Sequence, residues 1–361
     1  MDSITQAALG AVVGQSVAAR SLGRRALVFG VVAGTLPDLD GVVINLFDGD
    51  AFDQWVHHRG ITHSLFFGPV VGTLLGHITW RYYAWRDRRR VARGKTPLGL
   101  GDADKRWSWT ILWVLALFTH ALLDALTTYG TQLLAPFSDY RFAFDAMSIV
   151  DPVYTIPLLL AVVVGLLPWR QLHRKMAVAM LVLSTAYIGY CSWLKLSAEA
   201  YAADQLANEG VTYSRLDAHA TLFQGAYRRI VVQQSAGYLV GYYTRWAPGP
   251  IQWRHYPQGD HPAIGVVEQT REGRIADWFA SEKNYKFVRA DGAGGYEVIF
   301  RDMRYGLPVE RDEGLFGLRA MVGRDLNLQG SPQQTRPGSA LRRDRVGALF
   351  RRMYGLAFPQ T

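Results

Sequence analysis

Apolar residues along this chain gather into six runs separated by short polar segments, and the pattern changes character after Ser197. The runs are Ile4 to Ala19, Ala26 to Leu46, Ile61 to Trp80, Trp107 to Leu126, Tyr154 to Leu167 and Met176 to Leu196. Runs of about 20 apolar residues match the roughly 30 Å hydrocarbon core of a bilayer as α-helices. The first is shorter and rich in small residues (Ala8, Gly10, Ala11, Gly14, Ala18), which suits close helix packing, and leaves both a spanning and a re-entrant helix open. The pattern therefore predicts a mainly α polytopic membrane domain of five to six apolar helices over residues 1–197.

Beyond Ser197 the period shortens towards alternation. Tyr227 to Gln234 and Tyr238 to Trp246, around Ser235-Ala236-Gly237, read as a hairpin; Tyr285 to Arg289 and Tyr296 to Met303, around Asp291 to Gly295, read as a second. Glu268 to Phe279 suits a helix between them. A small soluble α+β domain over 198–328 follows, with no catalytic motif of its own. Residues 329–361 read as a flexible basic tail, with a possible basic amphipathic helix at Leu341 to Met353.

Composition sharpens this picture. The 361 residues carry a formal charge of +9, which would suit nucleic acid, but the basic residues concentrate in short loops between apolar runs, where they orient membrane proteins. The lipid bilayer is the expected partner and nucleic acid is not. Arg81 to Arg106 holds nine basic and three acidic residues, and Arg20 to Arg25 and Arg170 to Lys175 are also basic. These segments predict cytoplasmic loops, so alternation puts the C-terminal domain, and the ends of the runs that bear His and Asp, outside the cytoplasm. Cys191 is the only cysteine, which excludes an internal disulfide and a thiolate metal cluster. Met1 to Gln6 lacks the basic start of a cleaved leader and is expected to be retained.

Three polar groups interrupt or border the runs: Pro37-Asp38-Leu39-Asp40, His57-His58-Arg59-Gly60-Ile61-Thr62-His63-Ser64, and His120 with Asp124. His120 and Asp124, at i and i+4, share a helix face and can reach one ion. Asp38 and Asp40 cannot share one on a regular helix, and Pro37 predicts a break there that could present one or both. Carboxylate and imidazole are ligand types for zinc or a similar divalent ion, and ionisable groups in spanning segments are functional candidates by default. The bland alternatives are a hydrogen-bonded packing histidine, a capping aspartate and an interfacial polar loop.

Met1 to Gln6, Leu36 to Asp40, His57 to Ser64, His120 to Gly130, Pro136 to Asp139 and Arg141-Phe142 together resemble the LexA-binding, inner membrane-associated hydrolases of the YdjM type, described as membrane-bound and metal-dependent. The D…H…HxxxD order is also similar to that of zinc-dependent phospholipase C, without a second HxxxE group. The resemblance implies metal roles for Asp38 or Asp40, His58, His63, His120 and Asp124; His57 is a further imidazole candidate. It implies a divalent ion, zinc by donor type, that activates water against a phosphoester or other ester, lipid-linked or phosphorylated, at the outer face of the inner membrane. Arg59 or Arg141 would stabilise the developing anion. A non-catalytic membrane scaffold or envelope-stress factor with a structural metal site is the alternative, and a metal transporter is a third reading that the one-sided placement of the charges disfavours.

Overall fold

The computed structural model describes residues 1–47, 49–292, 294–306 and 316–335. The expected helix at 341–353 lies outside them. Contacts divide the chain into two units: residues 1–48 with 57–190, and residues 49–56 with 191–361.

The first unit is helical: α1 (Ser3–Leu22), α2 (Arg25–Thr35), a 3₁₀ turn Pro37–Leu39, and α3 (Asp40–Leu46). After α4 (Ala51–His57), which the second unit shares, come a 3₁₀ turn Ile61–His63, a π-helical turn Gly68–Gly72, α5 (Thr73–Val91), α6 (Arg106–Ala125), α7 (Pro152–Leu166) and α8 (Arg170–Asn208), whose residues from Cys191 onward belong to the second unit. Among the described residues, three helical stretches are long and apolar enough to cross a membrane: Arg25–Leu46, Ala103–Ala125 and Gln171–Asn208. A fourth exists if Ala51–His63 and Gly68–Val91, bent by 55°, form one span. The count is thus three to four, against the five to six expected. The α7 helix, with 15 residues at about 1.5 Å each, reaches only about 22 Å. The third run breaks at residues 64–67, between the turn Ile61–His63 and the π-helical turn Gly68–Gly72 that leads into α5.

Glycine brings α1 and α2 together. A Cβ at Gly10 would lie 2.3 Å from the Gly30 carbonyl oxygen, and one at Gly34 only 2.4 Å from that of Gln6. Two Gly-xxx-Gly stripes, Gly10/Gly14 and Gly30/Gly34, therefore face one another, the packing expected where lipid offers no hydrophobic drive between helices. On the other side of α2, Phe29 meets the Trp109 ring edge-on at 4.9 Å, and Trp109 stacks on Tyr83. These contacts tie α2, α5 and α6 into one core and bring the 3₁₀ turn after α2 alongside α6.

The second unit holds two four-stranded antiparallel meanders. The first is β1 (Arg215–Ala220), β2 (Tyr227–Gln234), β3 (Gly237–Thr244) and β4 (Arg254–Pro257); the second is β5 (Asn284–Ala290), β6 (Tyr296–Asp302), β7 (Gly317–Val322) and β8 (Gln333–Gln334). Both expected hairpins form, with Val232 opposite Leu239 in one and Ile299 opposite Phe287 in the other. The expected single helix is two, α9 (Pro262–Glu268) and α10 (Arg271–Phe279), because Thr270 caps α10 by accepting from Gly273 N–H. The first residues of the expected flexible tail instead form β8 on β7.

Residues 49–56 also belong to this unit. Trp55 stacks on Phe279 with ring centroids 4.5 Å apart and planes 8° from parallel, and Arg271 pairs with Asp50 and Asp53.

Candidate metal centre

Four side chains from three elements of the first unit meet at one point: Asp38 from the turn after α2, His63 from the turn Ile61–His63, and His120 with Asp124 from α6. Their nearest donor atoms all lie within 4.8 Å of one another. His63, His120 and Asp124 are fully buried, and Asp38 is 16 % exposed.

The spacings suit a tetrahedral ion. His63 Nε2 lies 3.0 Å from His120 Nε2, 3.4 Å from Asp38 Oδ1 and 3.2 Å from Asp124 Oδ2. His120 Nε2 lies 3.5 Å from each of the same two oxygens. Ligands about 2.0 to 2.1 Å from a tetrahedral centre stand about 3.3 Å apart, so five of the six edges already have the required length.

The proton arrangement points the same way. His120 Nδ1 is 2.7 Å from the Gly34 carbonyl oxygen, which can only accept, so Nδ1 carries the hydrogen and Nε2 of the neutral ring offers a lone pair. His63 Nδ1 faces Thr62 Oγ1 at 3.0 Å and Asp40 Oδ2 at 3.3 Å, while the Thr62 hydroxyl donates to that same oxygen at 2.8 Å. This leaves His63 Nε2 a second lone pair aimed at the first. Asp124 Oδ2, also buried, accepts no hydrogen bond from the described residues. Its Oδ1 receives Gln6 Nε2 at 3.0 Å, the Met1 amino group and Arg59, whose guanidinium lies 3.2 Å away. One edge of that carboxylate is thus fully committed, while the other meets the two imidazole nitrogens. Lone pairs this close repel unless a cation or a proton lies among them.

The remaining candidates occupy other positions. Asp40 stands behind His63 rather than among the four: it accepts from Thr62, from the Arg59 backbone N–H at 3.2 Å, and faces His58 Nδ1 at 2.7 Å. Such carboxylates orient a histidine ligand. His58 is held by Asp40, outside the group of four, and His57 is exposed at the end of α4. Adjacent residues project in different directions, which is why consecutive histidines do not both enter.

Arg59 has a left-handed backbone (φ 64°), a conformation uncommon for a residue with a side chain. Its guanidinium donates to Thr127 Oγ1 at 2.9 Å and lies over the Tyr129 ring. Arg141 donates to the Tyr129 and Gly130 carbonyls, 2.8 and 3.0 Å away, and lies over the same ring. Both arginines therefore brace the loop after α6, and Arg59 also touches the group. The sequence reading missed Gln6 and the Gly34 carbonyl. A polar Gln6 in the small-residue run was the one available sign; a backbone carbonyl leaves none.

A model of the YdjM inner membrane protein family matches residues 1–198. The inner membrane protein YbcI of Escherichia coli (strain K12) is 31% identical over 186 residues, covering 49% of this chain and 95% of that protein. The uncharacterized protein YfhP of Bacillus subtilis (strain 168) is 28% identical over 143 residues, 38% of this chain and 36% of that protein. No solved structure matches. The match runs through both helices of the Gly-xxx-Gly pair, all four residues of the group and the basic loop, and on this ground the chain belongs to the YdjM inner membrane protein family.

Proposed function

We propose that this protein is a membrane-embedded metal-dependent hydrolase that cleaves a phosphoester or other ester, lipid-linked or phosphorylated, at the outer face of the inner membrane. The observation that carries the reading is the near-tetrahedral set of Asp38, His63, His120 and Asp124, with two imidazole lone pairs and one unpartnered carboxylate oxygen turned inward. Two nitrogen and two oxygen donors suit zinc. A bound zinc ion would supply Lewis-acid chemistry and lower the pKa of a water. Asp40 and the Gly34 carbonyl hold the two imidazoles in their ligating tautomers. Arg59 balances the charge of Asp124 and presents the closest guanidinium to an anionic substrate.

One observation favours a second reading. Four protein donors complete a tetrahedral shell, as in structural sites, whereas catalytic sites keep a position open. Hydrolysis needs a fifth position on the Asp38 side, the partly exposed one. If none opens, the centre is structural and the protein is a membrane scaffold or envelope-stress factor. The basic segments Arg81 to Arg106 and Arg170 to Lys175 support cytoplasmic ends on both sides of the α6–α7 pair; this requires the 15-residue α7 to cross as well, and would then put the C-terminal unit outside the cytoplasm. Metal analysis joined to a panel of phosphoesterase and esterase substrates, on detergent-purified protein, separates the readings: zinc with turnover supports hydrolysis, zinc without turnover supports the scaffold.

A further inference from the structure

The second unit contains a polar cleft of about 430 Å³ between the turn joining β2 to β3 and the side of β5 next to α10. The sequence reading and the family match leave it without a role, since the match ends at residue 198.

Its floor is fixed. Asp277 Oδ1 accepts from Asn284 Nδ2 at 3.0 Å and Oδ2 from Lys286 Nζ at 2.8 Å. Asn284 also donates to the Ala276 carbonyl, and Lys286 to Glu268 at 2.6 Å. Burial pushes the Lys286 pKa down, but Asp277 and Glu268 outweigh it and raise it, so the ammonium stays charged. The rim is different: the side chains of Gln233, Gln258 and Glu282 line the cleft and make no hydrogen bond among the described residues. Glu282 sits with Ser281 in a left-handed turn (φ 62° and 52°), a backbone state that is unfavourable for residues with a side chain and persists only where its surroundings hold it.

The donor inventory selects the ligand. Among the described residues no arginine lines the cleft, and carboxylates outnumber the single lysine, so phosphates, nucleotides and other anions are disfavoured. Polar walls exclude acyl chains. What remains is a set of planar amides and carboxylates, each able to meet two neighbouring hydroxyls at once, around one fixed ammonium. A volume in the low hundreds of Å³ is that of a small-ligand site. From this we infer that the cleft binds a neutral, polyhydroxylated ligand, a saccharide of two to three units. The inference is independent of the metal centre.

The test uses the full-length protein in a polyoxyethylene detergent, because glycoside detergents carry the proposed ligand chemistry. Saturation-transfer NMR and calorimetry are run with chitotriose, cellotriose and maltotriose, and with trialanine as a non-sugar comparator. The expected result is saturable binding of at least one saccharide, weakened about tenfold or more in the Gln258→Ala/Glu282→Ala variant as its hydrogen bonds are lost. Both substitutions are at exposed positions whose side chains make no hydrogen bond among the described residues, so an unchanged melting curve confirms the fold. The proposal is overturned if no saccharide binds at about 10 mM, a concentration that would reveal even millimolar affinity. It is equally overturned if binding is indifferent to the double variant, or if trialanine binds with the same sensitivity.

Discussion

His63 Nε2 and His120 Nε2 face each other at 3.0 Å with their opposite ring nitrogens turned to Asp40 and to the Gly34 carbonyl. Two neutral imidazoles do not hold that position alone in a buried site. Either a cation joins them to Asp38 and Asp124, or one ring takes a second proton. The first alternative connects the geometry to function, and the predictions below follow from it.

Asp40 is expected to act through His63. Asp40→Asn keeps the side-chain size but replaces an oxygen acceptor with an amide, so the His63 tautomer is no longer held. Zinc affinity should fall about 10- to 100-fold, the usual effect of losing the partner behind a histidine ligand. Titration against a competing chelator measures this. An unchanged affinity would place Asp40 outside the site's support.

The glycine seam between α1 and α2 should tolerate no side chain. At Gly34 a Cβ would meet the Gln6 carbonyl oxygen at 2.4 Å, so Gly34→Val must part the helices and move the carbonyl that orients His120. Overpacking of this kind costs about 1 to 3 kcal/mol, and metal affinity should drop with stability. At Gly189 a Cβ meets nothing within 4 Å, and Gly189→Ala should leave both unchanged. Thermal unfolding in detergent, with and without zinc, compares the two.

In the second unit, burial should outweigh charge. Trp55 is 5% exposed and stacked on Phe279, so Trp55→Ala should destabilise this unit by about 3 kcal/mol. Arg271 is paired with Asp50 and Asp53 but half exposed, and Arg271→Ala should cost no more than about 1 kcal/mol. Denaturant unfolding of the full chain checks the order. A larger loss from Arg271→Ala would reverse it.

Sidedness rests on the basic segments Arg81 to Arg106 and Arg170 to Lys175, which place both ends of the α6–α7 pair in the cytoplasm only if the 15-residue α7 crosses with α6. Green fluorescent protein fused after Gly94 should fluoresce, and alkaline phosphatase fused after Gly210 should be active. Fluorescence at both positions would put the C-terminal unit in the cytoplasm and remove the outer-face part of the functional reading.

Much of this molecule was legible before its coordinates. The hairpins at Tyr227 to Thr244 and Asn284 to Asp302 show in the alternation of β-branched and aromatic residues around glycine turns. The one-turn spacing of His120 and Asp124 announced a shared face, and Pro37 announced the break that frees Asp38 from the helical period. Short strands such as β4 and β8 were not legible, because two to four residues carry no periodicity. The distinction between Asp38 and Asp40 was also hidden. Both are aspartates two positions apart, and only the fold decides that one faces the imidazole Nε2 atoms while the other faces Nδ1 of His63. The number of spans differed because the Tyr154 to Leu167 run, already short in the sequence, stays a 15-residue helix, and because the bend in the Ile61 to Trp80 run leaves no sign in hydropathy.

The most direct test is the zinc content of detergent-purified protein, by mass spectrometry of the metal, for the natural chain and for His63→Ala, His120→Ala and Asp124→Ala, with the His57→Ala and His173→Ala variants as controls. The account predicts one zinc per chain in the natural protein and in both controls, and less than about one tenth of that in each of the three ligand variants at comparable folding. Full occupancy in a folded His120→Ala/Asp124→Ala double variant, or no metal in the natural protein, would contradict it.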